Sequence, residues 1–427
     1  MTEIWALLKR SPSDLTRVQQ VSRGWRRLAA GTPQLWTSPY ITESTDADLL
    51  SLRLGRANPL PLSVEIDYRR SVNSLSIQGW VITREQIEHF TSLLEVLRSH
   101  SARWQSFTVF GPFYVAVLLR RCFDDHTLSI PMLTHISLDL VTTNFEQATG
   151  GPPEINSVFQ HAPPILAIHT RGYQHFWGNF PFHSLTAITL GRFSPENTLD
   201  WNTFAGAASY STNLLSLAFV GEIPSIAPHH NTSDTLFVLE LPELTSLSLT
   251  HITSGHLRHL LQHLKVPGLR SLALMLADED DMFLSFLQAV PAHFPRLETL
   301  AMEMLAMDEV AQLALGTFFT PLFHLTTLRL NFDSIPLVLW QALITPANRT
   351  DFMPSLREVD FVDVPVHSVQ EFVGLRATAG HHIDVVSLHY SSHFPYTPLP
   401  PSSTTWLQDN TQAFFISDGD RNISIWM

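Results

Sequence analysis

The chain has 427 residues, 44% of them apolar and 15% charged, and its net charge is −13 with histidine neutral. This composition excludes a disordered chain, and the negative balance argues against broad binding of nucleic-acid phosphates. The sequence has no run of about 18 apolar residues and no secretory signal pattern, so we expect no membrane span and an intracellular location, cytoplasmic or nuclear. Its single cysteine excludes a disulfide framework and a multi-cysteine zinc site.

The first predicted element is a helix near the N-terminus. Apolar residues recur there at steps of three or four, which places them on one helical face: Leu15, Val18, Val21, Trp25 and Leu28. Gly31 is expected to end this helix in the left-handed conformation, and Thr32 with Pro33 is expected to start another turn.

This N-terminal stretch resembles a known docking module. Residues 18–28, followed by Thr32-Pro33-Gln34-Leu35-Trp36, resemble the second half of an F-box, whose family pattern reads roughly V-x-R-x-W-R-x-L-A-x-x-P-x-L-W. The family's opening phrase, leucine-proline-x-glutamate, is missing, so residues 1–40 are predicted to be a truncated F-box-like helical segment. The resemblance implies that the segment binds a Skp-type adaptor and, through it, a cullin scaffold.

The resemblance also names the residues that would contact the adaptor. They are Ile4, Leu7, Leu8, Leu15, Val18, Val21, Trp25, Leu28, Leu35 and Trp36. Some of these side chains would build the core of the module and others would face the adaptor, and the sequence alone does not sort them. The alternative is that Trp25 and Trp36 are core aromatics of a helical cap on a repeat array.

Residues 41–100 are predicted to be a junction with one strand and one helix. The alternation in 60–66 indicates the strand, and Thr83 with Gln86 forms a capping box ahead of an apolar helical stripe. The phrases at 58–62 and 100–104 resemble the junction phrases of F-box proteins of mushroom-forming fungi.

A leucine-x-x-leucine-x-leucine phrase then recurs along residues 101–395. Clear copies begin at Leu133, Leu185, Leu214, Leu244, Leu269, Leu297, Leu325 and Leu356, and weaker copies begin at Trp104 and Ile165. From Leu185 onward the steps are roughly 25 to 31 residues, the range of long leucine-rich repeats. The alternative is an ordinary α/β protein rich in leucine.

Several gaps between phrases predict a helix. Ser254, Asp280 or Asp281, and Ser368 each precede a helical apolar stripe. We therefore predict an α/β solenoid, a leucine-rich-repeat-like horseshoe with parallel strands on the concave face and helices outside, preceded by the small all-helical F-box-like segment. Residues 396–427 are predicted to be a loop around residues 395–405 and an apolar segment that caps the array.

The third and fifth positions of each phrase are expected to face the concave side, because side chains alternate along a strand. Most of these residues are small or hydroxylic, and charge concentrates toward the C-terminal copies. Arg329, Glu358 and Asp360 are therefore predicted to bind a client protein. The alternative is that they are solvated strand residues, since isolated surface charges contribute little.

No enzyme chemistry is indicated. Phosphate-cradling glycine loops and serine-hydrolase elbows are missing, and the clustered histidines lack the spacing of a metal site, so we predict no catalytic residues, no metal and no cofactor. The predicted function is the substrate-recognition subunit of a cullin-type ubiquitin ligase. The alternative is a repeat scaffold that has lost adaptor binding, and the client is not readable from the sequence.

Overall fold

The computed structural model describes residues 20–69, 83–112, 115, 117–119, 129–141, 165–171, 182–191, 200–221, 224, 237–252, 254–276, 290, 292–304, 318–319, 321–332, 340, 343–344, 347, 349–390 and 401–418. The chain divides into two compact units, Met1–Ser211 and Thr212–Met427. Both units are built from parallel strands joined by crossover segments, so the fold is an α/β solenoid. The division of the sequence into four segments, 1–40, 41–100, 101–395 and 396–427, remains a prediction.

The first unit contains four α-helices and six strands whose bounds the structure describes. The helices are α1 (Arg23–Ala30), α2 (Ala47–Arg56), α3 (Arg84–Arg98) and α4 (Trp201–Ala208). The strands pair in parallel in chain order: β1 (Tyr40–Ile41), β2 (Leu62–Asp67), β3 (Trp104–Pro112), β4 (His135–Val141), β5 (Ala167–Arg171) and β6 (Ala187–Gly191).

The second unit carries eight parallel strands in one ladder and a separate pair. The ladder runs β7 (Ser216–Val220), β9 (Ser246–Ile252), β11 (Ser271–Leu276), β12 (Thr299–Met304), β13 (Thr327–Phe332), β14 (Glu358–Val362), β15 (Val385–Tyr390) and β16 (Ala413–Asp418). The pair is β8 (Leu239–Glu240) with β10 (Leu264–Lys265). Three helices of this unit have described bounds: α5 (Ser254–His263), α6 (Val366–Thr378) and α7 (Pro401–Asn410).

The positions of the strands confirm the prediction that each repeat phrase forms a strand. All eight clear phrases and the weak copy at Ile165 place a strand from their third position onward, and the weak copy at Trp104 begins one at its first. The first, fourth and sixth residues of each clear phrase are buried, whereas the third and fifth are mostly half-exposed. Each buried leucine contributes about 1.5–3 kcal/mol, well above an exposed ion pair, so this stack of apolar side chains dominates the stability of each unit.

Threonines at the second phrase position tie each repeat to the one before it. The hydroxyls of Thr134, Thr186, Thr245 and Thr326 donate to the backbone carbonyl at the second position of the preceding phrase, over 3.0–3.1 Å. The backbone amides of Thr245 and Ser246 donate to that same carbonyl of Leu215. A hydroxyl can reach this oxygen only when neighbouring repeats are in register.

The N-terminal helix differs from its prediction. Ser22 is extended, with φ −157°, and its hydroxyl accepts the amide hydrogen of Trp25 at 3.2 Å, so the helix restarts at Arg23 rather than running on from Val21. Gly31 ends α1 with φ −87°, so the predicted left-handed conformation is wrong. The turn starting at Pro33 is confirmed as a short 3-10 helix, Pro33–Trp36.

Two other local predictions are corrected. The loop expected around residues 395–405 contains α7, because Pro401 is tolerated in the first turn of a helix and Leu407 anchors that helix by burial. Helix α6 begins at Val366, two residues before its predicted cap at Ser368.

The capping box between Thr83 and Gln86 is confirmed in both directions. The helix predicted after Asp280 or Asp281 lies outside the described residues. None of the helices in the described ranges is both long and apolar enough to cross a membrane.

Candidate interaction surfaces

Helix α1 and Val21, which lies just before its cap, present apolar side chains to solvent. The exposed fractions are 70% for Val21, 37% for Trp25 and 45% for Leu28, so three large apolar side chains that are close in the chain are open to solvent. Within α1 only Ala29 is buried, because this short helix contacts the rest of the unit through one edge. Exposed apolar residues grouped on one face are typical of a protein-binding surface.

The remaining described members of the predicted adaptor set lie inside. Leu35 is 7% exposed and Trp36 is 4% exposed. The Trp36 indole Nε1 donates to the Ala29 carbonyl at 2.8 Å, and the Arg56 guanidinium lies over its ring at 4.8 Å from the centroid. Trp36 therefore fixes the end of α1 to α2. The structure thus divides the described members of the predicted adaptor set into two groups. Val21, Trp25 and Leu28 are exposed to solvent, whereas Leu35 and Trp36 are buried beneath α1 and support it.

Five predicted adaptor-contacting residues lie outside the described residues. They are Ile4, Leu7, Leu8, Leu15 and Val18. Their assignment stays a prediction from the resemblance.

The three predicted client-binding residues lie together on the outward face of the second unit. Register pairing sets Arg329 of β13 beside Asp360 of β14, with Glu358 two positions earlier on the same strand. The guanidinium lies 3.8 Å from a carboxylate oxygen of each, too far for a hydrogen bond but close enough for attraction. The three side chains are between 15% and 38% exposed, so they form a half-buried charged cluster.

A histidine missed by the sequence reading extends this cluster. His389 Nε2 lies 3.1 Å from Asp360 Oδ1, and Nδ1 of the same ring contacts the Ser417 hydroxyl. Serine, histidine and aspartate also form hydrolytic triads, but there serine contacts Nε2 and the carboxylate contacts Nδ1. The order here is reversed, so we assign His389 the role of holding Asp360 in place.

A comparison with protein-family models decides the nature of the N-terminal segment. Residues 5–42 match the model described as F-box-like.

This chain carries an F-box-like domain.

The domain so matched includes α1, the 3-10 helix Pro33–Trp36 and β1, that is, the exposed face and its support.

No curated protein matches the sequence. Among solved structures, the leucine-rich repeat-containing protein LegL7 from Legionella pneumophila is similar with a TM-score of 0.38 and 14% sequence identity, over 89% of this chain and 90% of that chain. The repeated parallel strands of this chain themselves identify its fold.

The first unit, which includes the F-box-like segment, holds a second polar cluster that the sequence did not reveal. Asp67, at the end of β2, accepts two hydrogen bonds from the Arg69 side chain at 2.6 and 3.0 Å and one from the Tyr40 hydroxyl at 2.7 Å. The Arg69 guanidinium also stacks on Phe110, 4.3 Å from the ring centroid. Tyr40 and Asp67 are 27 residues apart, so no local pattern predicts their contact.

The pKa values in this cluster follow from burial and partners. Burial alone would raise the pKa of Asp67, but hydrogen bonds from Arg69 and Tyr40 outweigh it and lower that pKa to about 2. Burial and the bond to Asp67 raise the pKa of Tyr40 to about 12. Both shifts show that the tyrosine donates to an ionised carboxylate at neutral pH.

Replacing Asp67 with asparagine is expected to lower the free energy of unfolding by about 2 kcal/mol at pH 7. The folded pKa lies below the usual 3.8, so the contribution is complete above about pH 5 and is lost as the pH falls toward 2. Denaturant unfolding of both proteins between pH 7 and pH 3 should show a shrinking difference. Glu88→Gln, in an exposed ion pair with Arg84, is the control and should change little. A difference independent of pH would contradict the assignment.

Proposed function

We propose that the protein is the substrate-recognition subunit of a cullin-type ubiquitin ligase. Its N-terminal helices bind a Skp-type adaptor, which brings the cullin, and its repeats bind a client protein. The observation that carries the proposal is the exposed apolar face of Val21, Trp25 and Leu28 inside the segment that matches the F-box-like model. The cytoplasmic or nuclear location and the lack of a catalytic role belong to the same proposal.

The adaptor contact is assigned to side chains that are large, apolar and ready for burial. Burying a tryptophan or leucine that the free protein leaves half-exposed removes apolar area from water, and such residues dominate the binding energy of protein interfaces. Leu35 and Trp36 act indirectly in this assignment, since they position α1 from inside. Ile4, Leu7, Leu8, Leu15 and Val18 complete the proposed contact set.

The client contact is assigned to Arg329, Glu358 and Asp360. These residues stand on neighbouring strands, which hold their side chains at fixed spacing without the entropy cost of ordering a loop. A client held there needs no chemistry from this chain. The role of this chain is to raise the effective concentration of a client lysine near the ubiquitin carrier.

A binding assay with a purified Skp-type adaptor tests the adaptor contact. Trp25→Ala and Leu28→Asp are each expected to weaken binding at least about tenfold, because each removes or charges a central apolar contact. Leu52→Asp is the matched control, since Leu52 is an exposed leucine of α2 and is 50% exposed. Failure of the wild-type chain to bind the adaptor would reject the ligase proposal and favour a repeat scaffold.

A further inference from the structure

The outward face of the last strands of the second unit carries more acid than base. Glu303 on β12, Glu358 and Asp360 on β14 and one guanidinium, Arg329, occupy outward positions of neighbouring strands. In the described part of this face, three carboxylates thus stand against one guanidinium, and Glu358 and Asp360 are the two that lie near it. Asp360 also lies 3.1 Å from His389 Nε2, and Glu358 accepts a hydrogen bond from the Thr327 hydroxyl at 3.4 Å. Arg329 lies 3.8 Å from both carboxylates, and an ionised carboxylate has about four acceptor sites, so both keep acceptor capacity for another donor.

An exposed aromatic ring lies in the same row. Register pairing across β13, β14, β15 and β16 aligns Arg329, Asp360, Ser387 and Phe415. Phe415 is 58% exposed, although its neighbours along the row are half-buried. Between Asp360 and Phe415 stands only Ser387, whose small side chain leaves room for a bound chain.

The spacing of this row sets a length for its occupant. Neighbouring strands are about 4.8 Å apart, so Asp360 and Phe415 are separated by two spacings, about 10 Å. A polyproline II segment rises about 3.1 Å per residue and repeats its direction every third residue, so side chains three positions apart lie about 9 Å apart on one side. The two distances agree.

We infer that the client segment is extended and presents a basic residue and, three positions away, an apolar residue. The basic side chain pairs with Asp360 and Glu358, and the apolar side chain packs on Phe415. Charge complementarity selects this occupant over an acidic segment, which would meet three carboxylates. His389 contributes by holding Asp360 oriented toward the row. The inference rests on the proposed function and specifies its client class.

Selection from a random 12-residue peptide display library against the full chain tests this inference. Enriched peptides are expected to carry arginine or lysine with an apolar residue three positions away, and their binding should weaken as salt is raised. A synthetic peptide from the selection should bind Asp360→Asn, Glu358→Gln and Phe415→Ala each about tenfold more weakly. Glu240→Gln, which removes an exposed carboxylate from the separate β8 and β10 pair, should bind it unchanged.

Three outcomes would overturn the inference: acidic peptides dominating the selection, no enrichment over a surface without protein, or enriched peptides indifferent to all three substitutions. Thermal unfolding of each variant verifies that the fold is kept. The adaptor-binding assay is run on the same proteins. If the wild type binds the adaptor but the selection enriches no basic peptides, only the client class is rejected. If the wild type does not bind the adaptor, the ligase proposal is rejected.

Discussion

Replacing Arg376 with alanine is expected to lower the free energy of unfolding by about 3–5 kcal/mol. The side chain is fully buried in α6, and its guanidinium donates to the backbone carbonyls of Phe352 and Met353, the latter at 2.8 Å. Burial, followed by the charge of Arg357, lowers the pKa of Arg376 to about 10, so the group stays charged at neutral pH. Removing it leaves two buried carbonyls without their donors and opens a cavity.

The measurement is denaturant unfolding together with amide exchange in 349–356. Arg357→Ala is the matched control, because Arg357 also donates to a carbonyl, that of His382, but at an exposed site. It should cost less than about 1 kcal/mol. Equal losses for the two variants would show that the buried guanidinium does not secure the turn before β14.

Replacing Trp36 with alanine is expected to cost about 3–4 kcal/mol and to abolish adaptor binding as a consequence. The indole fills the space between α1 and α2 and donates to Ala29. Trp36→Phe keeps a six-membered ring in this space but removes the indole N–H and part of the ring volume, so it should cost less, about 1–2 kcal/mol.

Trp25→Ala provides the contrast, since Trp25 lies on the exposed face of α1. It should weaken adaptor binding with little loss of stability. Unfolding curves and adaptor binding are measured on all three variants. If Trp36→Ala unfolds like the wild type, or Trp25→Ala is as unstable as Trp36→Ala, the division into support and contact is wrong.

The repeated strands could be predicted because their cause is local. A leucine at the first, fourth and sixth positions of a phrase requires a strand that buries alternate side chains, and the eight clear phrases repeat that requirement. The capping box at Thr83 is local in the same sense. Arg329, Glu358 and Asp360 are selected from their phrase positions, and they stand together because repeat register aligns equivalent positions of neighbouring phrases.

Other features depend on contacts that local pattern does not contain. Ser22 has the spacing of a helix interior, but its hydroxyl caps a new helix instead. Arg376 fits an apolar stripe by position, and only the fold reveals the two carbonyls that it satisfies. His389 reaches Asp360 through sheet register, and the bond between Tyr40 and Asp67 joins two strands across a helix and its turns. Sequence therefore indicated the sheet face but missed the groups that hold it in place.

The threonine hydroxyls at the second phrase position determine where this chain can accept inserted residues. Each one fixes the phase of its strand relative to the preceding strand, while the segment that connects them is free to differ in length. Insertions in the connecting segments therefore leave the outward rows aligned, whereas a single residue added inside a phrase turns every later side chain of that strand to the opposite face. A whole repeat gained or lost outside strands β13 to β16 likewise keeps the remaining strands in phase, so the gene can change in length there without altering the proposed binding face.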